Sequence, residues 1–293
     1  MSMTKINWYP GHMYKTKNMI SENLKLVDIV FEIVDARIPM SSKNPDISRL
    51  AKTKKRVILL NKSDLVEKAE LDMWSRFFKE NSYADEVIAV SSATGNNFPV
   101  IFKMLEKMLA EKREKMAKKG IRNTAVRVMV AGIPNVGKSK LINRIVGKSA
   151  AGVGNMPGFT RGKQWVRIRE GIELLDTPGI LWPKFESEEV GYSLAITGSI
   201  NDDILDMEDI ASKFINIMKE KKRESGFLKK YGLKEEELGD EPYYTIEAVA
   251  KKLGLVQKNG VYNMKNAAFQ ILKDYRAGKL GKFGVDFIAT DEK

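Results

Sequence analysis

Gly132-Ile-Pro-Asn-Val-Gly-Lys-Ser139 fits the pattern G-x-x-x-x-G-K-[ST], and its surroundings decide how the rest of the chain folds. The β-branched run Val126 to Ala131 precedes it and the helical pattern Leu141 to Val146 follows. A strand, a glycine-rich turn and a helix N-terminus in that order cradle phosphate. Successive backbone N–H groups wrap the oxygens, and the helix offers the positive end of its dipole. Lys138 reaches the β and γ oxygens, and the Ser139 hydroxyl is placed to ligate Mg²⁺. The stretch predicts a nucleoside triphosphate site.

Further motifs sit at the ends of other apolar runs. Asp176-Thr-Pro-Gly179 follows Ile172 to Leu175, where an Asp supports Mg²⁺ through water and the Gly179 N–H can sense a γ-phosphate. Between these two motifs, Pro157-Gly-Phe-Thr160 offers Thr160 as a second Mg²⁺ ligand, against the plainer reading of a Thr in a turn. Asn61-Lys-Ser-Asp64 ends the run Arg56 to Leu60. A carboxylate there accepts from both guanine N1–H and the 2-amino group, a donor pair that adenine lacks, so Asp64 argues for GTP over ATP. Ser91-Ser-Ala-Thr-Gly95 follows Glu86 to Val90 and offers a backbone N–H to guanine O6. In ordinary small GTPases the phosphate loop comes first and the base motifs last. Here the base motifs precede Gly132, which is a circular permutation.

The chain has 293 residues, 43% hydrophobic and 30% charged, within the range of globular proteins and against disorder, collagen or coiled coil. Strands are expected at Val27 to Val34, Arg56 to Leu60, Glu86 to Val90, Val126 to Ala131, Gln164 to Ile168 and Ile172 to Leu175. The clearest helix is Pro99 to Lys119, with Val100, Ile101, Met104, Leu105, Met108 and Leu109 as its apolar stripe. Strands alternating with helices predict an α/β fold, a doubly wound and mostly parallel P-loop sheet. After about Leu181 helical patterns take over, at Asp206 to Lys222, Ile246 to Lys252 and Met264 to Arg276. The expected division is therefore a permuted nucleotide domain over residues 1–181 and an all-helical domain over 182–293.

Absence of cysteine excludes disulfides, thiolate metal sites and a cysteine nucleophile. No apolar run approaches the roughly 18 residues of a membrane helix, and the first residues lack a secretory apolar core. The formal charge of +12 points to a polyanionic partner. From Ile196 onward basic and acidic residues balance at 17 each, so the excess lies in the first two-thirds. Clusters occur in Lys103 to Arg127 and in the last 43 residues, where nine basic residues face four acidic ones. Such clusters supply phosphate contacts without sequence readout. Tyr262, Phe269, Tyr275 and Phe283 either stack on exposed bases or belong to the helix core.

The chain resembles the circularly permuted GTPases, and within them the ribosome biogenesis GTPase A family. The resemblance rests on Trp8-Tyr-Pro-Gly-His-Met13, Asp35-Ala-Arg-Ile-Pro39, Asn61 to Asp64, Gly132 to Ser139, Pro157 to Thr160 and Leu175 to Lys184. It implies a cytoplasmic GTPase that binds rRNA on a large ribosomal subunit precursor, helps late assembly and uses a helical C-terminal domain for RNA contact. A monomer is expected. The implied GTP/GDP site comprises Asn61, Lys62, Ser63, Asp64, Ser91, Ser92, Asn135, Val136, Gly137, Lys138, Ser139, Lys140, Thr160 and Gly179. Two positions depart from the family: Lys140 replaces Thr or Ser, and Ser92 replaces Ala.

The residue after Gly179 is Ile180, which cannot orient water as the Gln common there does. His12 is the single histidine, and an imidazole with a pKa of about 6.5 is largely neutral near pH 7 and accepts a hydrogen bond from water. The resemblance places the catalytic histidine at the same residue, and the alternatives are a surface His or an RNA contact. Asn135 occupies the position that in related GTPases helps hold K⁺, against simple loop capping. Two functions stay open: a subunit-stimulated GTPase, and a GTP-gated RNA-binding assembly factor in which hydrolysis is incidental.

Overall fold

The computed structural model describes residues 21–122, 124–147, 165–176, 187–258 and 260–288. His12, Thr160, Gly179 and the expected domain boundary at Leu181 lie outside them. The six apolar runs become strands: β1 (Ile29–Asp35), β2 (Lys55–Asn61), β3 (Glu86–Ala89), β4 (Val126–Gly132), β5 (Trp165–Arg169) and β6 (Ile172–Asp176). They form one sheet in the order β3-β2-β1-β4-β6-β5. All neighbours are parallel except β5, which is antiparallel to β6. Counted from β4, this order reads 6-5-4-1-3-2 and places the phosphate loop after the first strand, which is the permutation expressed in the sheet.

Central parallel strands are covered on both faces, which is why β1 reads as a nearly continuous apolar run and is buried throughout. Ile29, Phe31 and Ile33 join Val57, Leu59, Val128 and Val130 on one face, under α3 (Phe98–Ala117) and α4 (Lys138–Val146). On the other face α1 (Pro45–Leu50) packs Ile47 with Val30, and α2 (Lys68–Glu80) packs Trp74 and Phe78 with Val34 and Leu60. The stripe of α3 is narrower than its sequence suggests. Ile101, Leu105 and Leu109 are buried at intervals of four, Met104 and Met108 pack at their side, and Val100, about 100° round the helix from Ile101, is exposed.

The helical half comprises α5 (Glu188–Ile196), α6 (Met207–Glu220), α7 (Glu224–Tyr231), α8 (Pro242–Lys252) and α9 (Met264–Arg276). Its buried residues are continuous with those of the sheet's α3 and α4 face. Helix α8 begins four residues before Ile246, because Pro242 occupies its first turn, where a missing N–H costs nothing. At the start of α6 the Asp206 side chain accepts from the N–H groups of Glu208 and Asp209. No helix among the described residues is long and apolar enough to cross a membrane.

The chain end after α9 is part of this core. Phe283 stacks 6.1 Å from Phe214 and lies 5.3 Å from Tyr275, whose hydroxyl donates to the Phe283 carbonyl at 3.0 Å. Tyr275 and Phe283 are thus core residues and not base-stacking ones, whereas Phe269 is exposed. Val285 N–H donates to the Arg37 carbonyl at 2.8 Å. The Asp286 carboxylate accepts from Met40 N–H, Ser41 N–H and the Ser41 hydroxyl at 2.9, 2.8 and 2.6 Å. Gly284 permits this approach, since a Cβ there would lie 2.6 Å from the Arg37 carbonyl oxygen. Replacing Phe283 by Ala should therefore cost about 3–5 kcal/mol, the usual range for a buried aromatic. Urea denaturation of the full chain checks it, and a loss under about 1 kcal/mol would contradict a core role for the chain end.

Candidate functional site

The carboxyl ends of β1, β2, β3, β4 and β6 open on one edge of the sheet, where ligands of open α/β folds bind. The phosphate loop leaves β4 there. Gly132 has no room for a side chain, since a Cβ would meet the Ile33 carbonyl oxygen at 2.7 Å. Gly137, at φ +91°, precedes α4 and would drive a Cβ to 2.5 Å from Asn61 Nδ2. Lys138, Ser139 and Lys140 form the first turn of α4, with Ser139 and Lys140 exposed. Asn135 is held at φ +61° and donates its amide to the Gly198 carbonyl at 3.1 Å. Asp176 ends β6.

Asn61 ties the base motifs to the phosphate loop. Its Nδ2 donates to the Val136 carbonyl at 2.7 Å, and its Oδ1 accepts from the N–H and hydroxyl of Ser92 at 3.0 and 2.8 Å. Its role is to fasten three segments. The loop at Ser91 is buried, with the Ser91 hydroxyl accepting from Thr94 N–H at 3.0 Å. Arg144 of α4, which the sequence motifs do not include, donates to the Ser92 and Ala93 carbonyls at 3.0 and 2.8 Å. The signal available for it was a cation on the helix that follows the phosphate loop.

These segments enclose a cavity of about 190 Å³ lined by Asn61, Asp64, Leu65, Ala93, Gly137 and Lys140, among others. Asp64 Oδ1 is buried without a hydrogen-bond partner among the described residues, as is the Ser63 hydroxyl. A buried acceptor left open costs roughly 1–3 kcal/mol, so its natural complement is a ligand donor. Guanine N1–H and N2–H are such donors. Lys140 brings a long cationic side chain to the wall, yet the cavity stays open.

Lys62 stands in the left-handed region, φ 62°, an uncommon conformation for a residue with a Cβ. Its ammonium meets Asp35 Oδ2 at 2.8 Å. Arg37 grips the same carboxylate through Nε at 3.0 Å and Nη2 at 2.7 Å, and its Nη2 also donates to the Thr197 carbonyl at 3.3 Å. The Arg37 guanidinium lies 5.6 Å from the Tyr275 ring centroid. Burial alone would raise the Asp35 pKa, but Arg37 and Lys62 override it and hold the carboxyl well below the usual range. Burial in turn pulls the Lys62 pKa down against the pull of Asp35. Asp35-Ala-Arg37 therefore joins the base loop to the helical half, a role its motif does not advertise.

A family model described as a 50S ribosome-binding GTPase matches residues 127–239. A ribosome biogenesis GTPase A of Bacillus licheniformis is 42% identical over 276 residues, covering 94% of this chain and 96% of the relative. The chain belongs to the ribosome biogenesis GTPase A family. Another such protein, from Thermotoga maritima, is 32% identical over 94% of this chain and 92% of its own length. A solved structure of GNP-bound YlqF from T. maritima is similar, with a TM-score of 0.62 and 27% identity over 93% of this chain and 97% of that one. Membership makes the chain a GTPase of ribosome biogenesis, with GTP and GDP as its nucleotides.

Two outcomes follow for this GTPase. Asp64→Asn keeps one acceptor and turns the other towards a donor, so GDP affinity should fall about 100-fold or more, from two charge-assisted hydrogen bonds. Titration with a fluorescent GDP analogue reads this, and an unchanged Kd would remove Asp64 from base recognition. Asp35 has a lowered folded-state pKa, so its contribution to stability is full above the ordinary carboxylate value near pH 4 and is lost progressively as pH falls towards the folded value. The stability gap between the native chain and Asp35→Asn, about 3–5 kcal/mol for a broken buried pair, should be widest above about pH 5 and narrow below about pH 4. Urea denaturation across that range measures it.

Proposed function

We propose that this GTPase docks through rRNA on immature large ribosomal subunits, promotes a late step of their assembly and hydrolyses GTP when docked. The observation that carries the reading is the buried, unpartnered Asp64 carboxylate oxygen in a cavity whose walls are wired to a helical half. The match to a model described as a 50S ribosome-binding GTPase and the names of the relatives support the ribosomal partner. Exposed Lys251, Lys258, Lys265 and Lys273 support RNA contact by the domain over residues 182–293. Arg276 serves the fold instead: its guanidinium donates to the Ala195 and Ile196 carbonyls and pairs with Asp202. The protein acts as a monomer in the cytoplasm.

In this mechanism the α4 N-terminus and Lys138 hold the β and γ phosphates. Ser139, Thr160 and, through water, Asp176 would hold Mg²⁺, which when bound would supply positive charge against the phosphates. Asn135 Nδ2 donates to the Gly198 carbonyl, so its amide oxygen is the atom that would hold K⁺. Ile180 neither aligns water nor accepts a proton, so His12 orients the attacking water in the docked protein. GTP binding through base and phosphates does not use His12, so affinity and turnover are separable.

GTP turnover is measured with and without purified immature large subunits, in K⁺ and in Na⁺, for the native chain and His12→Ala. Subunits should raise turnover of the native chain in K⁺ at least about 10-fold, with His12→Ala losing most of that rise while keeping its GTP affinity. Equal turnover of the two chains removes His12 from the chemistry, and equal rates in Na⁺ and K⁺ remove the monovalent ion. Subunits that bind without raising turnover favour the GTP-gated factor; Ile180 fits low undocked turnover under either reading, so this measurement is what separates them.

A further inference from the structure

A cavity larger than the guanine pocket opens at the other end of the sheet. It measures about 770 Å³ and lies among the chain before β1, the end of α3, the segment leading into β4 and the β5–β6 turn at Gly171. Strand β4 runs from this groove, at Val126, to the phosphate loop, at Gly132, which separates the two by about 20 Å. No nucleotide held at the phosphate loop reaches it.

Seven of the lining residues are Lys or Arg and three are Asp or Glu. The three acids are already engaged. Lys112 binds both oxygens of Asp28 at 2.7 Å, Arg127 meets Glu173 at 3.0 Å, and Arg113 lies 3.9 Å from Glu170. Lys25, Arg122 and Arg167 are exposed and have no acidic partner among the described residues. Among the described residues Lys54 donates only to the Val27 carbonyl, at 2.9 Å, and meets no carboxylate. The lining also contains Thr124, whose hydroxyl is buried without a hydrogen-bond partner among the described residues. An uncompensated cationic trough with a spare hydroxyl donor is built for phosphate oxygens. Among the described residues no aromatic side chain lines it, so these offer no platform on which an unpaired base can stack.

We infer that this groove seats the phosphate backbone of double-helical RNA, as a second contact surface remote from the nucleotide. The inference rests on the proposed RNA partner and adds where the first domain grips it and in what form. Duplex RNA hides its bases and shows phosphates and ribose hydroxyls, which matches a surface whose described residues present guanidinium and ammonium groups and no stacking side chain. Recognition here is by shape and charge and is indifferent to sequence. The groove also borders the segment that joins α3 to β4, where the half carrying the base motifs meets the half carrying the phosphate loop. Backbone seated there spans both halves of the permuted domain.

The test uses the full chain and a triple variant, Lys25→Gln with Arg122→Gln and Arg167→Gln. Fluorescence anisotropy reads binding to a 20-base-pair RNA duplex of arbitrary sequence over a salt series, and to immature large subunits. The variant should bind duplex at least about 10-fold more weakly, and its slope of log K against log salt should fall by about 2 to 3, near 0.9 per lost phosphate contact. A scrambled duplex should bind the native chain equally well, and the GDP Kd should stay within about twofold. The charge-keeping set Lys25→Arg, Arg122→Lys and Arg167→Lys should retain the native slope, which separates charge from folding. Subunit binding by the native chain with an unchanged slope in the Gln variant, or with a preference for single strands over duplex, overturns the groove and leaves the proposed function standing. Failure of the native chain to bind either duplex or subunits overturns the RNA reading itself.

Discussion

The Asp35 carboxylate, held between Arg37 and Lys62 in the interior, is the contact on which the rest of the architecture depends. A buried charge costs several kcal/mol to desolvate and persists only when paired and hydrogen-bonded. Asp35 has both cations within 3.0 Å and also accepts from Arg37 N–H at 3.0 Å, while its own N–H donates to the Ser42 hydroxyl at 2.9 Å. Burial works against the Arg37 charge, and the Asp35 carboxylate beside it overrides that and keeps the guanidinium ionised. Because Lys62 is tethered to Asp35, the left-handed turn that presents Asp64 to the base cavity is fixed from β1, the neighbouring strand. Arg37, from its side, reaches Thr197 and Tyr275 in the helical half.

The phosphate loop is fastened to the same centre by close packing and not by charge. Gly132 lets β4 approach Ile33 of β1, and Gly137 lets the loop sit against Asn61 of β2. Asn61 then spends its amide on Val136 and its oxygen on Ser92, so base and phosphate motifs share one side chain. Permutation changes the order in which these segments are made but not their adjacency, because β1 pairs with β2 on one side and β4 on the other.

The strands and the phosphate loop were legible because parallel buried strands advertise themselves as apolar runs and the loop needs glycine at fixed positions. Helix α2 was not, since its exposed face carries Lys68, Asp72 and Arg76, and only Trp74 and Phe78 are fully buried, with Leu71 and Phe77 packing at their side. Helix α5 was missed for a related reason: its buried positions include Gly191, Ser193 and Ala195, small residues without an apolar stripe. At the site, Asp64 was readable from its chemistry, since guanine demands a carboxylate. Arg37, Arg144 and Arg276 were not, because each acts on carbonyls far along the chain, and no local pattern records which carbonyl a guanidinium will meet. Tyr275 and Phe283 show the converse limit. An aromatic residue near basic neighbours reads equally as a stacking platform or as core until packing decides.

Helix α5 shows how these contacts act together. A helix ends with carbonyls that its own N–H groups do not fully satisfy. In α5 and the turn after it, Arg276 of α9 takes the carbonyls of Ala195 and Ile196, Arg37 takes that of Thr197, and Asn135 of the phosphate loop takes that of Gly198. Four successive carbonyls are thus held by three elements from both halves of the chain. A shift of α5 by even one ångström lengthens hydrogen bonds to the phosphate loop, to the Asp35 centre and to α9 at once. Such bonds weaken steeply with misalignment, so α5 either stays with all three or leaves all three. The position of α5 is therefore set jointly by the phosphate loop, the Asp35 centre and α9, and none of the three can move against it without breaking a hydrogen bond to its last carbonyls.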